Sequence, residues 1–218
     1  MNLTECSALI SGGGGGLGSA TARRLVELGA AVVLFDPDAE KAATLARELG
    51  DRAVAFQGYQ NSDYDVNAAI AQAQKMGIFS IVVNAAGAQI PAPNTVSEDG
   101  IPHDMETFQR MIGNHLTGPF NVTRLSAAAF SKNKPDEDGQ RGVVINTSST
   151  AAYEGQIKQV AYSAAKAGIA GMTLALARDL SIVGVRANAI APGPIVTPRL
   201  ERASEKIKTG TSGQCGFS

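Results

Sequence analysis

Ser11-Gly12-Gly13-Gly14-Gly15-Gly16-Leu17-Gly18 is the stretch whose reading decides the fold. Ahead of it, Ser7-Ala8-Leu9-Ile10 is a short apolar run that stops where the glycines begin, as a buried strand ending in a turn does. Behind it, Leu17, Ala20, Thr21, Arg24, Leu25 and Leu28 recur at spacings of three and four, and Gly29 follows in the position that favours a helix stop. Strand, glycine turn and helix form the corner at which a parallel sheet holds a pyrophosphate. Glycines let the backbone come close to phosphates, and the helix N-terminus offers free N–H groups with partial positive charge. A glycine string alone is explained as well by a flexible turn; the strand before it and the helix after it favour binding.

The same alternation continues outward. Ala31–Phe35 reads as a second strand ending at Asp36-Pro37, and Asp38–Leu49 as a helix closed by Gly50. A weak strand at Ala53–Phe56, a helix near Asp65–Met76 and a strong strand at Ser80–Asn84 follow. Past a polar connection from Ala88 to His103, one long helical pattern runs from about Met105 to Ser131 through Gly113, Gly118 and Pro119, and the proline should kink or interrupt it. Lys132–Arg141 reads as a solvated loop, Val143–Ile145 as a central strand, Gln159–Leu180 as a helix and Val185–Ile190 as a sixth strand. Strands alternating with helices of this length predict an α/β fold: a Rossmann-like, doubly wound parallel sheet. No internal repeat or linker divides the chain, so residues 1–218 are expected to form one domain.

Composition agrees and narrows the function. The 218 residues are 44% hydrophobic, enough for one domain with a real core. Nineteen basic against 20 acidic residues give a net charge of −1, which lacks the positive field expected of a nucleic-acid or anionic-membrane partner. No apolar run approaches the roughly 20 residues of a membrane span, and the start MNLTECSALI lacks a secretory layout. Cys6 and Cys215 lie at opposite ends in no metal-ligand spacing, so neither a disulfide framework nor a metal site is expected. A cytoplasmic location follows, with the mitochondrial matrix as the eukaryotic alternative although no transit peptide is seen.

Two constellations carry chemistry. Asp36 ends the second strand about 20 residues after the glycines, where a carboxylate accepts from adenosine ribose hydroxyls and repels a 2′-phosphate; neither Gly15 nor Pro37 supplies a positive charge there, so NAD is expected rather than NADP. Asp36 is equally placed to cap the helix that follows, and the two roles are compatible. Tyr162-Ser163-Ala164-Ala165-Lys166 puts Tyr162 and Lys166 four apart on one helix face, with the ammonium near the phenol hydroxyl, and a cation there favours the phenolate. Ser149, just past the central strand, lies at the same rim of the sheet and is placed to hydrogen-bond a carbonyl or alkoxide oxygen. Alone, Tyr-x-x-x-Lys is a common accident on helices; its place after the fifth strand reverses that reading.

From about Ser7 to Thr197 these residues resemble the short-chain dehydrogenase/reductase family. Residues 11–18 look like its T-G-x-x-x-G-x-G fingerprint with Ser11 in the threonine place, and Asn84-Ala85-Ala86-Gly87 like its N-A-A-G turn. Ser149, Tyr162 and Lys166 match its catalytic serine, tyrosine and lysine, and Pro192-Gly193 with Thr197 its P-G-x-x-x-T segment. The resemblance implies that Ser11, Gly12, Gly15, Gly16, Leu17, Gly18, Asn84, Ala85, Ala86 and Gly87 bind the cofactor, with Pro192, Gly193, Ile195 and Thr197 folded over the nicotinamide. Tyr162 and Lys166 also contact it. Within the family, NTSSTAAYEGQIKQVAYSAAKAGIAGMTLALARDLS from Asn146, together with Phe108-Gln109-Arg110 and Gln140-Arg141-Gly142, looks most like the type 2 3-hydroxyacyl-CoA dehydrogenases. That implies NAD-dependent interconversion of a 3-hydroxyacyl-CoA, or another secondary alcohol, with its ketone, and a homo-oligomer.

Three departures from the family pattern stand out. Counting back from Gly118 puts His115 where the family has its catalytic asparagine, and Asn114 one residue, about 100° of helix, off that face. His115 is placed either to relay protons or to fill space. Tyr59-Gln60 stands where the family has the acid that frames adenine, leaving backbone contacts from these two residues. Pro198–Ser218 is an atypical tail in which no seventh strand is legible, so the sixth strand is expected to be a sheet edge. A truncated, catalytically silent nucleotide-binding or interaction protein, and a 3-oxoacyl-carrier-protein or small-ketone reductase, are the competing readings.

Overall fold

The computed structural model describes residues 1–87 and 92–195. Its order is β1 (Cys6–Ser11), α1 (Gly16–Glu27), β2 (Ala31–Asp36), α2 (Ala39–Leu49), β3 (Ala53–Gln57), α3 (Asp63–Met76), β4 (Ile78–Asn84), α4 (Met105–Ile112), α5 (Gly118–Phe130), β5 (Gly142–Thr147), α6 (Val160–Ser181) and β6 (Val185–Ile190). All strand pairs are parallel, in the order β3-β2-β1-β4-β5-β6. Chain direction across the sheet reverses between β1 and β4, so a crevice opens above their carboxyl ends. The six strands and the doubly wound sheet expected from the sequence are all present. The Pro198–Ser218 tail lies outside the described residues, and among those described β6 is one edge of the sheet and β3 the other, with Arg186, Asn188 and Ile190 of β6 exposed.

Both faces of the central strands are buried, and the period of two sorts their side chains between two cores. Leu9, Val33, Phe35 and Val82 face one core with Val66 and Ile70 of α3 and Val122 and Phe130 of α5. Ala8, Ile10, Val32, Leu34, Ile81 and Val83 face the other with Ala22 of α1 and Ala42 and Leu45 of α2. Phe79 and Phe130 close the first core with ring centroids 4.8 Å apart.

Two expectations are corrected. The single helix expected over 105–131 is two helices joined by a π-turn, Gly113–Thr117, in which the Gly118 N–H bonds to the carbonyl of Gly113, five residues back. Pro119 lies in the first turn of α5, and the chain passes it without a break. By length and composition α6 is apolar enough to cross a membrane, contrary to the expectation that no segment comes close. It serves instead as a layer of the fold: Ala161, Ala165 and Ile169 are buried, and its Lys166 carbonyl accepts from the Ser148 hydroxyl at the end of β5.

The register sets the functional rim. Ser11 of β1 is level with Asn84 of β4, and Asn84 with Asn146 of β5, so the segments following these three residues emerge side by side. Asn84 holds that level. Its Nδ2 lies 2.8 Å from Asn146 Oδ1, 3.1 Å from the Pro119 carbonyl and 3.1 Å from Thr123 Oγ1, tying β4 to β5 and α5 in a fully buried position. Asn84→Leu leaves those buried acceptors without their donor and should lower the unfolding free energy by about 1–3 kcal/mol. Urea denaturation checks this as a shift in midpoint at constant slope.

Candidate active site

A cleft of about 900 Å³ runs along this rim from Asp36 to Tyr162. At one end the glycine turn leaves β1. Gly12 has a φ of +75°, and a Cβ there would lie 2.5 Å from Ala86 Cα, so only glycine lets the turn lie against the Ala85-Ala86-Gly87 segment. The Gly12 N–H donates to the Phe35 carbonyl at 2.8 Å, which hooks the turn onto β2. Helix α1 then starts from Gly15 without a side-chain cap, and Gly16 and Leu17 of its first turn face the cleft. Backbone donors are thus presented to the space where the sequence places a pyrophosphate.

Asp36 ends β2 almost buried, and both carboxylate oxygens are held: Oδ2 accepts from the Gly14 N–H at 3.0 Å and Oδ1 from the Asp38 N–H at 2.9 Å. The helix cap is Asp38 itself, which accepts from the Lys41 N–H, so Asp36 is free of that duty. Lys41 also lines the cleft edge, a cation the sequence did not single out. Its ammonium is paired with the Asp38 side chain, and that hydrogen bond holds the Asp38 carboxyl below the usual carboxylate range.

At the other end, Ser149 leaves β5 in extended conformation and its Oγ accepts from the Ala151 N–H at 3.1 Å, which fixes the oxygen while its own hydrogen remains to donate. Tyr162 lies in the first turn of α6. Lys166 is 4% exposed; its ammonium sits 5.7 Å from the centroid of the Tyr162 ring and donates to the Thr147 carbonyl at 2.7 Å. The four-residue spacing brings the cation beside the tyrosine ring, with the Thr147 carbonyl as its anchor. Burial pushes the Lys166 ammonium down to about 8. His115, in the π-turn, is 1% exposed and meets the Tyr162 ring edge-on, centroids 5.1 Å apart at 85°. It comes so close to the glycine rim that a Cβ on Gly87 would lie 2.5 Å from His115 Cε1.

Most residues singled out from the sequence meet in this one cleft. Ser11, Gly12, Gly15, Gly16, Leu17 and Asp36 line its first half, and Ala85, Ala86, Gly87, His115, Ser149, Tyr162 and Lys166 its second, with Pro192, Gly193 and Ile195 above. Two do not face it. Gly18 lies behind the turn, where a Cβ would fall 2.1 Å from the Gly12 carbonyl oxygen, and Asn84 is buried in the network described above. Thr197 lies outside the described residues. Tyr59 and Gln60 reach the wall, but their backbone is largely committed: the Tyr59 N–H donates to Asp65, and the Tyr59 and Gln60 carbonyls accept from the Ser62 N–H and Asn121 Nδ2. Thr147, Ser148 and Asn114 also line the cleft. The first two directly precede Ser149 and were findable from it; Asn114 enters through the π-turn, which the sequence did not reveal.

Residues 7–208 match the family pattern described as short chain dehydrogenase. The chain is 46% identical over 203 residues to the 3-hydroxyacyl-CoA dehydrogenase type-2 of Drosophila melanogaster, covering 93% of this chain and 80% of that one. It is 44% identical over 211 residues to the protein of that name from Homo sapiens, covering 96% and 81%. Among solved structures, the 3-hydroxyacyl-CoA dehydrogenase type-2 of Mycobacterium avium superposes with a TM-score of 0.91 at 46% identity over 94% of this chain and 80% of that one. A 3-ketoacyl-(acyl-carrier-protein) reductase from Brucella melitensis complexed with NADH gives 0.79 at 32% identity over 90% and 78%.

Burial of Lys166 makes stability depend on pH with a definite sign. Its native pKa, about 8, lies below the ordinary 10.5, so between those values the unfolded chain holds a proton that the native protein has released, and stability rises with pH. Across that interval the contribution is about 3 kcal/mol. The difference in unfolding free energy between Lys166→Met and the parent, measured by denaturation from pH 7 to 10.5, should follow this rise, with the variant lacking it.

Proposed function

The chain belongs to the short-chain dehydrogenase family, and on that premise we propose that it interconverts 3-hydroxyacyl-CoA and 3-oxoacyl-CoA with NAD. The observation that carries the reading is the convergence of Ser149, Tyr162, Lys166 and His115 at one end of a cleft whose other end is the glycine turn and Asp36. That cleft suits a dinucleotide. Gly12 and the uncapped start of α1 form a cradle that a side chain would fill, and Asp36 is fixed with lone pairs left to accept from ribose hydroxyls. The held carboxylate and the pairing of Lys41 with Asp38 support NAD over a cofactor bearing a 2′-phosphate. Ala85, Ala86, Gly87, Pro192, Gly193 and Ile195 would border the nicotinamide half, and Tyr59 the adenine. NAD, when bound, supplies the two-electron acceptor for the substrate alcohol.

The chain's own residues handle the proton. Ser149, its oxygen fixed by the Ala151 N–H, donates its hydrogen to the substrate oxygen and orients the alcohol. Tyr162 as phenolate accepts the hydroxyl proton, and the Lys166 ammonium beside its ring favours that form. His115, almost fully buried and edge-on to the Tyr162 ring, braces the residue that takes the proton. In the reverse direction the same groups return the proton to the ketone. The relatives named for 3-hydroxyacyl-CoA support the substrate, and the carrier-protein reductase supports an acyl thioester more broadly. Exposed apolar side chains on α5 and α6, Phe120 and Leu174, support a homo-oligomer, and the buried free thiol of Cys6 supports a reducing, cytoplasmic setting.

Purified protein should reduce NAD with a 3-hydroxyacyl-CoA, and Tyr162→Phe should lower kcat by about 10²–10⁴-fold. The melting temperature should stay that of the parent, and calorimetric NAD binding should remain measurable. Binding without turnover in the parent would instead mark a silent nucleotide-binding protein.

A further inference from the structure

Pro119 creates a problem in the π-turn that Gln60 solves. In that turn the Gly118 N–H bonds to the Gly113 carbonyl. The next bond of the series would run from residue 119 to the Asn114 carbonyl, and proline has no N–H to give. The Asn114 carbonyl accepts instead from the side-chain Nε2 of Gln60 at 2.6 Å. The other end of the same carboxamide, Oε1, accepts from the Ser11 hydroxyl at 3.1 Å. Because a carbonyl only accepts, the Asn114 contact dictates which end of the amide is which. Gln60 is fixed at its backbone too, where its carbonyl accepts from Asn121 Nδ2 at 3.0 Å. Gly118 leaves the space, since a Cβ there would lie 2.6 Å from Gln60 Cδ.

Gln60 thus spans from the residue that opens the dinucleotide turn to the residue before His115. Its side chain points away from the adenine end of the cleft, where its position after β3 had placed it. We infer that Gln60 is a positioning residue, a strut that sets the π-turn and so holds the His115 imidazole against Tyr162. The inference rests on the proposed function only in taking Tyr162 as the proton-transfer group; the placement of His115 by Gln60 is independent of it. A methionine has the length of the glutamine and neither hydrogen bond. A glutamate keeps the acceptor for Ser11 but, ionised, sets a carboxylate against the Asn114 carbonyl.

The chain holds two histidines, His103 and His115, so their ring signals are separable in proton–carbon correlation spectra. In Gln60→Met and Gln60→Glu the His115 ring signal, set by the edge-on Tyr162 ring, should move while that of His103 stays; should the methionine variant unfold, the glutamate variant carries the test. An unmoved His115 signal in a folded variant overturns the proposal whether or not the protein turns over any substrate. In the active enzyme, Gln60→Met should lower kcat by roughly ten- to a hundredfold, with KM for NAD changed less than about threefold. In a His115→Ala background the same substitution should have almost no further effect. A loss confined to KM, or one of equal size in both backgrounds, also overturns it, whereas failure of the Tyr162→Phe test alone removes the dehydrogenase reading and leaves the strut standing.

Discussion

Six parallel strands cannot be joined by tight turns; each must be carried back across a face of the sheet, so every strand leaves it at the same end. That constraint, with the level set by Ser11, Asn84 and Asn146, gathers residues from distant parts of the chain onto one rim. The price in composition is that β1 and β2 must be apolar on both faces, which leaves chemistry to their last residues and to the segments just beyond. The glycine turn, Asp36, the Ala85–Gly87 segment and Ser149 all sit there. Asn84, whose side chain is turned inward to the neighbouring strand and helix, keeps these exits level and faces no cleft.

Lys166 concentrates the electrostatics. Its neighbours are a carbonyl and an aromatic ring, and burial is the only cause of its lowered pKa, so no carboxylate among the described residues neutralises it. A cation held this way is poorly solvated and incompletely compensated, and its surroundings favour any negative charge that forms within a few ångströms. The group standing there is the Tyr162 phenol. The same poor solvation that costs the folded protein stability at neutral pH leaves the charge little screened beside the Tyr162 ring.

The sheet was legible because its signals are local: apolar runs of three to six residues, the first two stopped by the glycines and by Asp-Pro, and helix faces recurring at three and four. The Tyr162–Lys166 pair followed from helical spacing together with its place after the fifth strand, and Asp36 from its distance to the glycines. The π-turn was not legible, because an apolar period of 3.6 tolerates one inserted residue, and Pro119 reads as a kink as readily as the start of a new helix. The role of Gln60 was hidden for another reason. Its partners lie 49 and 54 residues away, and neither a serine hydroxyl nor a backbone carbonyl leaves a mark in sequence spacing. Lys41 was overlooked because its neutralisation by Asp38 and its place at the cleft edge are both facts of three-dimensional packing.

His115 illustrates how a single replacement imposes conditions on its surroundings. An imidazole in this position needs more room than a carboxamide, and the room exists on the Gly87 side only because that residue has no Cβ. It needs a backbone rotated to face Tyr162, which the extra residue of the π-turn supplies. The turn leaves the Asn114 carbonyl facing Pro119, which has no N–H, and the Gln60 amide, in the loop after β3, replaces the missing bond. Gly118 must stay small for that amide to enter. His115, Gly87, Gly118 and Gln60 are consequently one structural solution: a side chain at Gly87 or Gly118 meets the His115 ring or the Gln60 amide, and losing that amide takes the donor from the Asn114 carbonyl, changes comparable in cost to a sizeable share of a domain's net stability.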